Sequence, residues 1–152
     1  MTSVLQRFCS LEASAEYQDE ALYRTLKKST LISADNAHAI HPNFSQKHDK
    51  SHGPIMNKGP VIKINANQRY ASNSETIAKF KSLAKQVNVP TQDFVMRTDM
   101  ACGSTIGPII ASSTGIKTID VGLATWGMHS IRETAGSRDI LDFHQLLKEF
   151  FS

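Results

Sequence analysis

The feature that most narrows the fold is an ordered succession in the second half of the chain. "DFVMR" reads as a strand, "GSTIGPIIASST" as a turn and helix closed by Gly115, and "IKTIDVGL" as a second strand rich in β-branched residues. A strand, crossover helix and strand normally make parallel neighbours through a right-handed connection, so an α/β sheet with helices on its faces is expected. Upstream, "STLISA" reads as a short strand that delivers Asp35 at its carboxyl end. "PVIKIN" reads as another, with Lys63 pointing away from the face of Ile62 and Ile64. Three further helices are expected. "YQDEALYRTLKKS" carries acids early and lysines late. "SETIAKFKSLAKQV" repeats Ile77, Phe80, Leu83 and Val87 at helical steps behind a capping-box spacing of Ser72 and Glu75. "SRDILDFHQLLKEFF" is expected to bury a face such as Ile140, Leu141, Leu147 and Phe151. His41 to Gly59, with two internal breakers and no periodicity, reads as a loop of unusual length.

A chain of 152 residues, 40% hydrophobic, can bury one substantial core, and a single domain over 1–152 is expected. The net charge of +3, from 17 basic and 14 acidic residues mixed along the chain, lacks the basic footprint of a nucleic-acid binder. No window approaches the roughly 20 apolar residues of a membrane span. The N-terminal "MTSVLQRFCSLEASAEYQDE" has no basic start and long apolar run, so no secretory signal is read there. Cys9 and Cys102 lie far apart without CxxC spacing, which fits a reducing cytoplasm rather than a disulfide framework. "NFS" at Asn43 matches a glycosylation acceptor and is read as chance in a polar loop.

Ligands in open α/β sheets sit beyond the carboxyl ends of the strands. Three loops are expected there: "SADNAHAIHPN", "DMACGSTIGP" and "ATWGMHSIRE". Asp35 offers a carboxylate and His129 an imidazole, a pairing that zinc accepts in catalytic sites, though zinc takes about four partners. The alternative is an Asp that caps a turn and a buried, hydrogen-bonded His. His38 stays open between ligand, substrate contact and outer support; Pro42 pushes His41 toward extended backbone, so His41 reads as a loop or interface histidine. "ACGSTIGP" places small residues and hydroxyls where a helix start can hold an oxyanion, unless Ser104 is simply the helix cap. Cys102 in that turn raises a cysteine nucleophile, without any family-type sequence around it. Lys63 and Tyr70 flank "INANQR" and could present a cation and a hydroxyl to an acidic ligand; a solvated strand edge is the alternative. Glu133 reads as a helix-start acid beside Arg132 rather than a general base.

In this order, "SADNAHAIHPN", "GPVIKINANQRYAS", "CGSTIGPI", "TIDVG" and "MHSIRE" resemble the carboxyl-terminal part of the aspartyl aminopeptidases, dinuclear zinc exopeptidases. The resemblance covers Val4 to Phe151. It implies part of an α/β/α zinc-peptidase catalytic domain with a mixed sheet, here lacking its upstream half. It implies Asp35 and His129 as ligands of two zinc ions, and His38, Lys63, Tyr70, Gly103, Ser104 and Thr105 as residues that bind substrate. The substrate would be a peptide with an N-terminal Asp or Glu, cleaved by a metal-activated water whose proton a glutamate takes.

The resemblance implies, for complete family members, a further histidine ligand, a bridging aspartate and paired glutamates upstream, and an inserted domain that mediates dimers within a homo-oligomeric shell, a dodecamer. The resemblance therefore implies that the general base lies outside this sequence and that the isolated chain is inactive. The competing expectation is a non-catalytic relic or interaction module that keeps the fold. Asn36 stands where the family usually has methionine, and Trp126 precedes "MHSIRE", where it would narrow the pocket or stiffen the loop.

Overall fold

The structure, a computed structural model, describes residues 1–12 and 17–152; of the N-terminal stretch read above, residues 13–16 lie outside the described residues. Two helices, α1 (Thr2–Glu12) and α2 (Gln18–Lys28), lead into β1 (Thr30–Ala34) and β2 (Ala37–His38). Then come β3 (Val61–Ile64), α3 (Ser74–Gln86), β4 (Gln92–Val95) and α4 (Ile106–Thr114). The chain closes with β5 (Lys117–Gly122), β6 (Ala124–Trp126), β7 (Thr134–Ala135) and α5 (Ser137–Phe150). The strands form a mixed α/β arrangement: a four-stranded sheet in the order β1-β5-β3-β4 and a three-stranded sheet β2-β6-β7. Among the described residues, no helix is long and apolar enough to cross a membrane.

The sheet is mixed, as the family resemblance implies, but the parallel pairing expected across the strand, helix and strand unit is not found. β1 and β5 are parallel and β3 and β4 are parallel, but β3 runs antiparallel to β5. β4 and β5, joined by α4, are therefore antiparallel and separated by β3. The β-branched runs fix only that both are strands; which strand pairs with which is settled by long-range packing. The loops after β1 and β5 thus leave from one end of the sheet and the loop after β4 from the other, so the three loops expected at one edge do not share it.

One face of the larger sheet carries Ile62, Ile119 and Val121, covered by Phe80 and Ala84 of α3 and Leu146 of α5. The other carries Val61 and Phe94, packed with Tyr70, Ala37 and Ala124. A third cluster, Leu22 and Leu26 of α2 with Ile116, receives Leu5 and Cys9 of α1. Unlike α3, α1 has no acidic residue in its first turn and no basic one in its last, so local signals mark it poorly.

Two helix readings shift. The capping box of α3 is formed by Asn73 and Thr76 rather than Ser72 and Glu75: the Asn73 side chain accepts from the Thr76 N–H while Thr76 Oγ1 accepts from the Asn73 N–H. Ser72 is instead bound to β5, where its hydroxyl accepts from the Asp120 N–H at 3.0 Å. In α5 the inward face is Asp139, Phe143 and Leu146, while Ile140, Leu141 and Phe151 are exposed. The cause is Asp139, fully buried, which accepts from the Asn57 N–H at 2.6 Å and the Gly59 N–H at 2.7 Å and so sets the helix rotation.

Those bonds also anchor the long segment from His41 to Gly59, which is not wholly irregular: Pro42–Lys47 forms a 3-10 helix whose cap is His41. Gln92 adds a second tether, accepting from the Ile55 N–H and donating to the Ile55 and Gly59 carbonyls. Asp139→Asn, which leaves one buried amide without an acceptor, is expected to cost about 1–3 kcal/mol. Urea unfolding of wild type and variant measures it; an unchanged midpoint would mean the loop is held elsewhere.

Candidate functional site

The middle of the larger sheet is polar on one face. In the parallel pair, Ser33 of β1 sits opposite Asp120 of β5, and in the other pair Lys63 of β3 sits opposite Phe94 of β4. Continuing the antiparallel register of β3 and β5 by one residue sets Lys63 beside Asp120. The result is a row, Ser33, Asp120, Lys63 and Phe94, in which every member is buried. The Ser33 hydroxyl is buried without a hydrogen-bond partner among the described residues.

Lys63 is 2% exposed, so the solvated-edge alternative does not hold: β3 is an internal strand, and its lysine is enclosed. Its ammonium lies 3.2 Å from an Asp35 carboxylate oxygen and over the Tyr70 ring, 5.2 Å from the centroid. Burial lowers the Lys63 pKa from the ordinary lysine value, and Asp35 opposes that shift. Burial raises the Tyr70 pKa, with a hydrogen bond to Cys102 adding to it. Cys102 thus meets a phenol and, through space, the Lys63 ammonium, and among the described residues no histidine pairs with it. A cleft of about 590 Å³ opens beside it at the carboxyl ends of β3 and β4, lined by Ile64, Asn65, Arg69, Met96 and Cys102 among others.

Asp35 follows β1 directly, and its backbone N–H donates to the Val121 carbonyl at 2.9 Å. Gly122 faces it. A side chain at Gly122 would overlap the Asp35 carbonyl, so only glycine lets the two strands stay paired here. Asn36, beside it, accepts the Leu123 N–H at 3.3 Å and helps carry the chain from one sheet to the other.

Sequence reasoning passed over Asp120, which is fully buried. Its carboxyl accepts from Thr105 Oγ1 and from the Ala71 N–H, both at 2.6 Å. Gly107 in the first turn of α4 stands directly over it, and a methyl group there would overlap both carboxyl oxygens. The only sequence signal was a lone acid inside the apolar "TIDVG" run, where a charge needs a partner. Ser104 is not the helix cap: Thr105 occupies that position, and the Ser104 hydroxyl donates to the Arg69 carbonyl at 3.1 Å. Gly103 and Ser104 are exposed.

The bonded group therefore unites Asp35, Lys63 and Tyr70, with Thr105 joined through Asp120. His38, exposed on β2, and His129 are outside those bonds. His129 sits in the turn after β6 with φ of 68°, a left-handed conformation uncommon for non-glycine residues, and is exposed rather than buried. Asp35 lies level with Gly122, the end of β5, whereas His129 follows Leu123, the three residues of β6 and a turn. Trp126 stiffens the neighbouring loop: its indole N–H donates to the Ile40 carbonyl at 2.9 Å, and its ring lies 5.4 Å from His41. Among the described residues, no group of three or more His, Cys, Asp or Glu side chains is placed to hold a metal ion. Zinc takes about four donors, so the residues present do not complete a zinc site.

Comparison with known proteins gives a consistent result. The family model described as "Aminopeptidase I zinc metalloprotease (M18)" matches residues 1–151. A curated relative from Pseudomonas savastanoi pv. phaseolicola, "Probable M18 family aminopeptidase 2", is 55% identical over 152 residues, all of this chain and 34% of the relative. The chain thus spans about a third of the length of the curated relatives it matches. Among solved structures, the complex of Ape4 and Nbr1 superposes with a TM-score of 0.92 at 46% identity, covering 98% of this chain and 28% of that one. The Saccharomyces cerevisiae mApe1 dodecamer gives a TM-score of 0.76 at 32% identity, covering 93% and 32%.

Beside the candidate site, His48 follows the 3-10 helix and faces His38, with Asp49, His52, Lys50 and Arg97 as the other charged or titratable neighbours. Burial lowers the His48 pKa from 6.5, and the charge of His38 lowers it further. The folded chain then binds fewer protons there than the unfolded chain. Stability from this source is full above pH 6.5 and falls as pH drops below it. Thermal midpoints at pH 7.5 and 5.0 should show a smaller acid loss for His48→Gln than for wild type; equal losses would remove His48 as the cause.

Proposed function

The chain belongs to the aminopeptidase I zinc metalloprotease family, and from that premise we propose that it carries the acid-recognising pocket of an enzyme that removes N-terminal Asp or Glu from peptides. The supporting observation is Lys63. A lysine that is 2% exposed in an internal strand places a fixed positive charge inside the protein. Such a charge is costly to bury, and a substrate carboxylate entering beside it is attracted far more strongly than it would be at a hydrated surface. Tyr70, whose ring lies under the ammonium, restricts where that carboxylate can sit. His38 and the turn of Gly103, Ser104 and Thr105 are proposed as the remaining walls.

Asp35 and His129 are proposed as the zinc donors that this chain contributes to the complete enzyme, with two ions and the other donors in the rest of the protein. Because the residues here do not complete a metal site, neither bond cleavage nor the proton transfers are assigned to them. Assembly into a homo-oligomer and residence in the cytoplasm complete the proposal. The free thiols of Cys9 and Cys102, in separate clusters, are compatible with a reducing compartment. The competing reading, a non-catalytic module that docks on full-length subunits, draws on the same lack of a three-donor cluster among the described residues.

The test grafts these 152 residues in place of the matching third of the Pseudomonas savastanoi relative. With zinc supplied, the graft should release N-terminal Asp in preference to Ala by about a hundredfold or more, since the buried cation attracts an acidic side chain and gains nothing from a neutral one. Lys63→Met should raise KM for the acidic substrate and remove most of that preference. Equal release of Asp and Ala by the graft would sink the acid-pocket reading. If the separate chain co-elutes with the full-length relative while the graft hydrolyses nothing, the docking module is favoured.

A further inference from the structure

We infer that Asp120 is the positioning residue of the acid-recognising pocket, holding Lys63, Tyr70 and the Thr105 turn in one geometry. The inference rests on the aminopeptidase reading of that pocket. Each substrate-facing piece comes from a different element: Lys63 from β3, Tyr70 from the connection to α3, and Thr105 from the start of α4. None of them is covalently near another, so something must fix their relative positions.

Asp120, on the central strand β5, bonds two of these pieces and neighbours the third. One carboxyl oxygen accepts from Thr105 Oγ1 and the other from the N–H of Ala71, the residue after Tyr70. The backbone of Asp120 is held in turn by Ser72, whose hydroxyl accepts from its N–H at 3.0 Å and donates to its carbonyl at 3.3 Å. Tyr70 is thereby followed by two residues pinned to β5. Lys63 stands beside Asp120 in the sheet and feels its charge, as does Tyr70. Gly107 leaves room for the carboxyl to reach both donors at once.

The arrangement has a second consequence. Lys63 is ion-paired with Asp35 and also lies in the field of Asp120, its neighbour in the sheet. Asp35 has a side chain 54% exposed and is free to exchange partners with solvent or ligand. Asp120 is enclosed and cannot. The field of the enclosed carboxylate therefore persists at the ammonium when Asp35 turns to another partner, which leaves the cation charged and available to an incoming acidic side chain.

Asp120→Asn in the graft described above tests this directly. The amide keeps an acceptor for Thr105 but offers the Ala71 N–H a donor instead of an acceptor, and it removes the charge beside Lys63. KM for an N-terminal Asp substrate should rise about tenfold, the low end for hydrogen bonds to a charged group, with kcat and zinc content near wild type and KM for an N-terminal Ala substrate unchanged. Thr105→Val, a shape-conserving loss of one donor, should shift the same ratio in the same direction and decides the matter if the Asn variant does not fold. Phe80→Leu, in the opposite core, should lower stability without changing the ratio. If the wild-type graft shows no preference for Asp, the pocket reading itself fails and the inference falls with it. If the preference is present and both Asp120→Asn and Thr105→Val leave the ratio of KM values untouched, or alter both substrates alike, Asp120 is a packing residue and the positioning role is overturned.

Discussion

The structure is organised around a buried lysine ammonium. Lys63 lies in the interior of a four-stranded sheet, where transferring a charge out of solvent costs several kcal/mol unless partners replace the lost hydration. Two carboxylates and an aromatic face are set around it, from β1, β5 and the segment after β3. That requirement explains why polar residues run across the middle of one sheet face while the opposite face is closed by Ile62, Ile119, Phe80 and Leu146. One face stabilises the fold by burying apolar area, and the other uses part of that stability to hold a charge in position.

Mixed strand direction is what makes this possible. Because β3 runs against β5, their register brings Lys63 beside Asp120 while Asp35, at the end of β1, reaches the ammonium from the other side. With β3 in the opposite direction the same residues would meet different neighbours. The cleft at the carboxyl ends of β3 and β4 and the turns after β1 and β5 consequently lie toward opposite ends of the sheet, and Lys63, Tyr70 and Cys102 connect the first to the centre.

Buried carboxylates recur as fasteners for irregular backbone. Asp139 takes two amides from the segment before β3, and Asp120 takes an amide and a hydroxyl from the segments flanking α3 and α4. Irregular segments have no regular ladder to supply a defined shape, and an enclosed acceptor with two oxygens satisfies two otherwise orphaned donors. His41, wedged between Phe44 and Trp126, does similar work with an aromatic surface for the loop that follows β2.

The sequence by itself determined which segments are strands and helices wherever one period dominated: the stripe of α3, the β-branched runs of β1, β3 and β5, and the closure of α4 at Gly115. Its ordered motifs also pointed to the family and, only through that resemblance, to Asp35, Lys63 and Tyr70, whose residue types alone left a solvated strand edge and a turn cap open. Only the tertiary structure decided strand order and direction, since β propensity is blind to partners. It alone rotated α5 about Asp139, moved the α3 cap to Asn73, and singled out Asp120. The α5 rotation, the diversion of Ser72 from the cap and the role of Asp120 depend on partners 15 to 82 residues away in the chain, Thr105 for Asp120 and Asn57 for Asp139 among them, and no local pattern encodes a bond whose two halves meet only when the sheet has formed.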